Sequence, residues 1–136
     1  MSENSPKSRE GELPLDLWPE EIAPANVTPP ATILQSQASL LTKRTKYKLR
    51  GSVVTTNLGG SLRHSFLLVA PTLQDYRYEL FEVAHGVMPY PVSVYSAPKG
   101  VSTAEIPDEH SFVEWLRSVL ASDETKRIIG ALLAQV

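Results

Sequence analysis

The 136-residue chain contains no cysteine. That excludes disulfides, thiolate nucleophiles and cysteine-ligated zinc together, and it fits a reducing compartment. No run approaches the ~20 apolar residues that a membrane span needs. The opening stretch, MSENSPKSREGELPLD, has no apolar core, so no signal peptide is expected and the expected localisation is cytoplasmic. Net charge is only −2, which argues against a protein wholly devoted to nucleic acid. There is no G-x-S-x-G elbow, no phosphate-binding glycine loop and no H-E-x-x-H. Ser96-Ala97-Pro98-Lys99 matches S-x-x-K in letters only, because Pro98 and Gly100 deny it the helix that would align serine and lysine. Asp75, Glu79, Glu82 and Lys99 would make a nuclease-like set on composition alone. The expectation is therefore a non-enzymatic protein without catalytic residues, metal or cofactor.

Hydrophobic residues make up 42% of the chain and charged residues 21%, enough for a folded core of ordinary composition. Residues 1–28 read as a tail. Six of the eleven prolines fall within the first thirty residues, and the tail's six acids face only Lys7 and Arg9. Proline blocks helix and like charge resists compaction. The tail nevertheless carries Leu13, Leu15, Leu17, Trp18 and Ile22, with Leu17 and Trp18 as the anchors expected to dock on this chain or on a partner.

Residues 29–136 read as one α+β domain. Thr28-Pro29-Pro30 predicts a helix start, with threonine as the N-cap. Ile33, Leu34, Ala38 and Leu41 give that helix one apolar stripe. Strands are predicted over Tyr47–Thr56, Leu62–Ala70, Tyr76–His85 and Val92–Ser96. Asn57-Leu58-Gly59-Gly60 makes the first hairpin turn, and the short connections favour an antiparallel meander. Two helices close the chain. Asp108 or Ser111 caps the first, whose stripe is Phe112, Leu116 and Leu120 with Trp115 to one side. Ser122 caps the second. The expected architecture is two-layer: a four-stranded sheet with one N-terminal and two C-terminal helices on one face.

Side chains alternate along a strand. A turn centred near Leu73 sets His64 opposite Glu82, Phe66 opposite Leu80 and Leu68 opposite Tyr78. His64 and Glu82 then form a cross-strand polar pair, while His85 points to the other face. A His64–Glu82–His85 metal triad would need a bulge. The same parity puts Tyr47, Leu49, Phe66, Leu68, Tyr78 and Leu80 beneath the helices. Lys48, Arg50, Arg63, Arg77, Leu67 and Phe81 fall on the opposite face, a mixture of arginine and apolar groups that resembles an interaction surface.

The leading expectation is a small protein–protein interaction module: an adaptor, or a regulatory or inhibitor protein. It would bind another protein or a second copy through Lys48, Arg50, Arg63, Leu67, Arg77 and Phe81, with Leu17 and Trp18 as tail anchors. One alternative is a nucleic-acid accessory factor that lines Lys46, Lys48 and Arg50 along a basic strand. Another is a small-molecule or enzymatic pocket between sheet and helices near His64, Tyr78, Glu82 and Tyr95.

Overall fold

The computed structural model describes residues 15–136. The N-terminal tail is thus seen from Leu15 onward, and Leu13 lies outside the described residues. The elements are α1 (Pro30–Arg44), β1 (Arg50–Leu58), β2 (Ser61–Ala70), a 3-10 turn (Pro71–Leu73), β3 (Tyr76–His85), β4 (Ser93–Ser96), α2 (Glu109–Leu120) and α3 (Asp123–Leu133). The strands form one open antiparallel sheet in the order β1-β2-β3-β4. The helices pack on one face of it, as a two-layer α+β fold.

Local chemistry explains most of the boundaries. Pro30 opens α1, where a missing N–H costs nothing. Pro29, not Thr28, is the N-cap, and it has no side-chain capping bond. Thr28 serves as a tie instead: its N–H donates to Glu109 Oε1 at 2.9 Å, and its carbonyl accepts from the Tyr90 hydroxyl at 2.7 Å. Burial, with Glu109 and Asp108 nearby, pushes the Tyr90 phenol up to about 12, so it remains a donor. Asp108 caps α2 by accepting from Ser111 N at 2.8 Å, and Ser122 caps α3 by accepting from Thr125 N at 3.2 Å.

β1 starts at Arg50, later than the alternating Tyr47–Leu49 stretch suggests. Lys46 and Tyr47 both take left-handed backbone angles (φ 53° and 66°) to reverse the chain out of α1. Tyr47 consequently points to solvent, 71% exposed, rather than into the core. The reversed chain brings Gly51 against α1 so closely that a Cβ there would sit 2.6 Å from the Ala38 backbone.

The larger departure is a bulge in β3. Leu68 pairs with Tyr78 as expected and Leu67 with Glu79, but Phe66 pairs with Phe81, leaving Leu80 as an extra residue. A bulge of this kind shifts everything beyond it by one position. Leu80 and Phe81 are both buried, and Phe81 and Val83 turn toward the helices. Phe66 stacks on Phe81 with centroids 5.3 Å apart, and Phe81 meets Trp115 edge-on at 5.2 Å. Trp115 is therefore a core residue, not a flank of the stripe, and its indole N–H donates to the Ser102 carbonyl at 2.9 Å. The core joins Leu34 and Ala38 of α1, Leu68 and Val83 of the sheet, and Phe112 and Val119 of α2.

Candidate functional site: the open face of the sheet

Cross-strand pairing lays out the face opposite the helices row by row. Val69 lies between Arg50 and Arg77, Leu67 between Ser52 and Glu79, and Arg63 between Thr56 and Ala84. Ser65 lies between Val54 and Glu82. Val69 and Ala84 are buried yet belong to no part of the core beneath the helices. Val69 is flanked across the strands by Arg50 and Arg77, side chains whose methylene stems suit packing on an apolar neighbour. Leu67 is half-buried and Val54 is exposed. The helices pack against the other face, while the loop after β3 (Gly86 to Pro91) and Glu105 wall the β4 end of this one beside Ala84 and Tyr95.

Arg63 is the most constrained cation here. Its guanidinium stacks over the Tyr95 ring, 4.0 Å from the centroid, and faces Glu82 at 3.7 Å. Its Nε is buried without a hydrogen-bond partner among the described residues. Tyr95 reaches this position because β4 is also irregular: Ser96 pairs with Glu82 and Val94 with Val83, leaving Tyr95 as the extra residue. Arg50 and Arg77 are exposed, and neither has an ion pair among the described residues. The face thus presents one arginine held by Tyr95 and Glu82, two exposed cations without ion pairs among the described residues, and apolar groups between them.

Of the residues expected at a partner surface, Arg50, Arg63, Leu67 and Arg77 share this face. Phe81 does not. The bulge at Leu80 rotates it into the core, where it is fully buried. Lys48 is exposed but sits in the reversal before β1, not on the sheet. Lys46 stands in the same reversal, so Lys46, Lys48 and Arg50 do not line one side of a strand, and the basic strand expected of a nucleic-acid accessory factor is not formed. Leu17 and Trp18 are 87% and 75% exposed, so they stand clear of this copy's own domain. Sequence reasoning missed Tyr95 and Glu82 as members of the face, because both depend on bulges that no residue pattern announces.

The bulge also re-sorts the histidines. His64 pairs with Val83, and Glu82 lies on the opposite face with Arg63. The expected His64–Glu82 pair does not form. His64 meets His85 instead, with Nε2 to Nε2 at 2.8 Å. The ring centroids are 4.9 Å apart, much farther than the two nitrogens, so the rings meet nose to nose. His85 Nδ1 lies 2.8 Å from the Gly86 carbonyl, and His64 Nδ1 lies 2.8 Å from Thr55 Oγ. A carbonyl only accepts, so His85 carries its hydrogen on Nδ1. With both rings neutral, His64 then donates from Nε2, and its Nδ1 accepts from Thr55. All the ring nitrogens are occupied, which makes this a structural relay. Burial, and then the proximity of His85, hold the His64 pKa below its ordinary value.

The pocket residues expected between sheet and helices are likewise divided. His64 and Tyr78 face the helices, whereas Glu82 and Tyr95 face the open side. A cavity of about 480 Å³ does open between the layers, but its lining is Leu40, Leu41, Phe66, Leu68, Leu80 and Ile129, with Gln37, Arg44 and Thr45 as the polar groups. Comparison with family models, with curated proteins and with solved structures returned no match. Among the described residues, no helix is long and apolar enough to cross a membrane.

Proposed function

We propose that this protein is a non-enzymatic interaction module, an adaptor or a regulatory or inhibitor protein, that binds another protein through the open face of its sheet. The observation that carries the reading is the part of this face away from β4, opposite the side on which the helices pack. Arg50 and Arg77 flank Val69 without ion-pair partners among the described residues, beside half-buried Leu67 and exposed Val54. An acidic partner surface with apolar side chains suits this arrangement. Its carboxylates would sit over Arg50 and Arg77, and its apolar groups over Leu67 and Val54. Charged residues of this kind govern on-rate and register, and the apolar centre governs residence time. The exposed Leu17 and Trp18 provide a second contact on the N-terminal segment.

The test is affinity capture with the immobilised full chain, compared with Arg50→Glu/Arg77→Glu and with a chain lacking residues 1–28. A partner of the open face is retained by the wild type and lost at least tenfold by the double charge reversal. A partner of the tail is lost on truncation. Equal recovery by the wild type and the charge-reversed chain would remove the open face from the reading.

A further inference from the structure

The two edges of the sheet are built differently. β4 is a short edge, Ser93–Ser96, irregular in its pairing and bracketed by Pro91 and Pro98. Short length, bulges and nearby proline are the usual means of closing an edge to further strands. β1 has none of these. From Gly51 to Leu58 it contains no charge and no proline, and its pairing with β2 runs without a shift.

Hairpin geometry states which backbone groups β1 leaves open. Gly59 and Gly60 form a two-residue turn with φ of 58° and 84°, so the flanking pair Leu58–Ser61 is hydrogen-bonded. Counting back by twos, Thr56, Val54 and Ser52 also bond to β2. Gly51, Val53, Thr55 and Asn57 therefore direct their N–H and C=O groups outward. The Gly51 N–H confirms the direction, because it donates away from β2 to Thr42 Oγ of α1 at 3.0 Å. Beyond it, the backbone amides of Val53, Thr55 and Asn57 have no hydrogen-bond partner among the described residues.

We infer that this edge pairs with β1 of a second copy, antiparallel about a twofold axis at Thr55. The strand is self-complementary in that register. Val53 meets the partner copy's Asn57, Thr55 meets its own equivalent, and all three outward-facing residues are used. On the open face Val54 lies opposite Thr56. Arg50, the lone charge of β1, falls opposite Gly60, so no like charges meet. α1 packs along β1 and comes closest at Gly51, and the twofold sends the two Gly51 ends to opposite ends of the seam. The pairing is isologous and closes at two copies, provided that β4 is shut. It joins two sheets into one and sets two open faces side by side. The inference stands apart from the identity of any partner on that face.

Sedimentation equilibrium of the full chain reads the stoichiometry, with Val54→Lys/Thr56→Lys and Val54→Glu/Thr56→Glu as the variants. Both positions are exposed, so each variant keeps its fold. In the expected register each variant places like charges directly opposite twice, weakening dimerisation roughly tenfold or more. Mixing the two variants restores a one-to-one pair. Hydrogen exchange provides a reading without substitutions: the amides of Val53, Thr55 and Asn57 become slower as protein concentration rises. A chain that stays monomeric at millimolar concentration, a dimer indifferent to both variants, or protection at these amides that does not depend on concentration would overturn the inference. The Arg50→Glu/Arg77→Glu chain dimerises normally, which separates this result from the open-face reading.

Discussion

The two faces of one sheet meet opposite fates, and the covered face carries more of the apolar side chains. Beneath the helices, Phe66, Leu68, Phe81 and Val83 join a continuous core with Leu34, Phe112 and Trp115. On the other side Val54 is exposed, Leu67 is half-buried, and Val69 is buried without joining that core. The covered face holds the fold. The open face contributes little to stability and is correspondingly unconstrained, which is where a binding surface can be carried at low structural cost. The distinction lies both in how apolar each face is and in which neighbours its side chains find.

The sharpest way to break the comparison is to remove equivalent bulk from each side. Phe81→Ala takes out an aromatic ring packed between Phe66 and Trp115 and should cost about 3–5 kcal/mol, read as a lowered midpoint in urea unfolding. Leu67→Ala on the open face should cost well under that, roughly 1 kcal/mol, because its site is already half in water. Equal losses would mean that the open face is packed as tightly as the core. Next in size is Gly51→Ala. The new methyl would meet the Ala38 backbone at 2.6 Å, and backbone cannot step aside as a flexible side chain can. Overpacking of this kind costs about 1–3 kcal/mol, and a thermal melt should show it.

The large-scale architecture was legible in the residues. Element order, the meander, the Asp108 and Ser122 caps and the side taken by Leu67, Arg50 and Arg77 all follow from alternation, turn glycines and capping chemistry. The errors share one cause. Period-2 reasoning propagates parity along a strand, and a single extra residue reverses it. Leu80 is that residue in β3. It moved Phe81 from the predicted surface to the core, dissolved the His64–Glu82 pair and created the His64–His85 contact. Nothing about YELFEV marks the site, because Leu80 and Phe81 are both apolar and suit either face. The start of β1 failed for a different reason. KYKLR alternates like a strand, yet the end of α1 demanded a left-handed reversal at Lys46 and Tyr47.

The histidine relay sharpens the comparison through pH. His64 lies on the covered side, and burial lowers its pKa below 6.5 in the folded protein. The unfolded chain therefore binds a proton that the native state refuses. Stability should be unaffected by this group above pH 6.5, should fall as pH drops below it, and should level off once the folded form also protonates. One proton limits the slope to about 1.4 kcal/mol per pH unit. The carboxyls of Asp108 and Glu124 are held below their ordinary values by Ser111 and Arg127, so their own stabilising effect is lost only at lower pH. Comparing urea midpoints from pH 7 to 5 in the wild type and in His64→Gln isolates the relay. A slope that survives the substitution would place the titration elsewhere.

The smallest effect is expected at Arg77, where the open face should reveal itself by indifference. Its guanidinium is exposed and makes no ion pair among the described residues, so Arg77→Ala removes a charge without stranding a buried partner. Surface substitutions of this kind usually change stability by within about 0.5 kcal/mol. Arg63→Ala is the informative contrast on the same face. It would leave Glu82 without its cation and uncover the Tyr95 ring, for a loss of about 1 kcal/mol from the cation–π contact and stem packing. If Arg77→Ala destabilises as much as Arg63→Ala, Arg77 is held by something structural and the open face is not open at that end. If only Arg63→Ala is felt, the two arginines divide as their contacts suggest: Arg63 braces the sheet, and Arg50 and Arg77 are left for whatever the face binds.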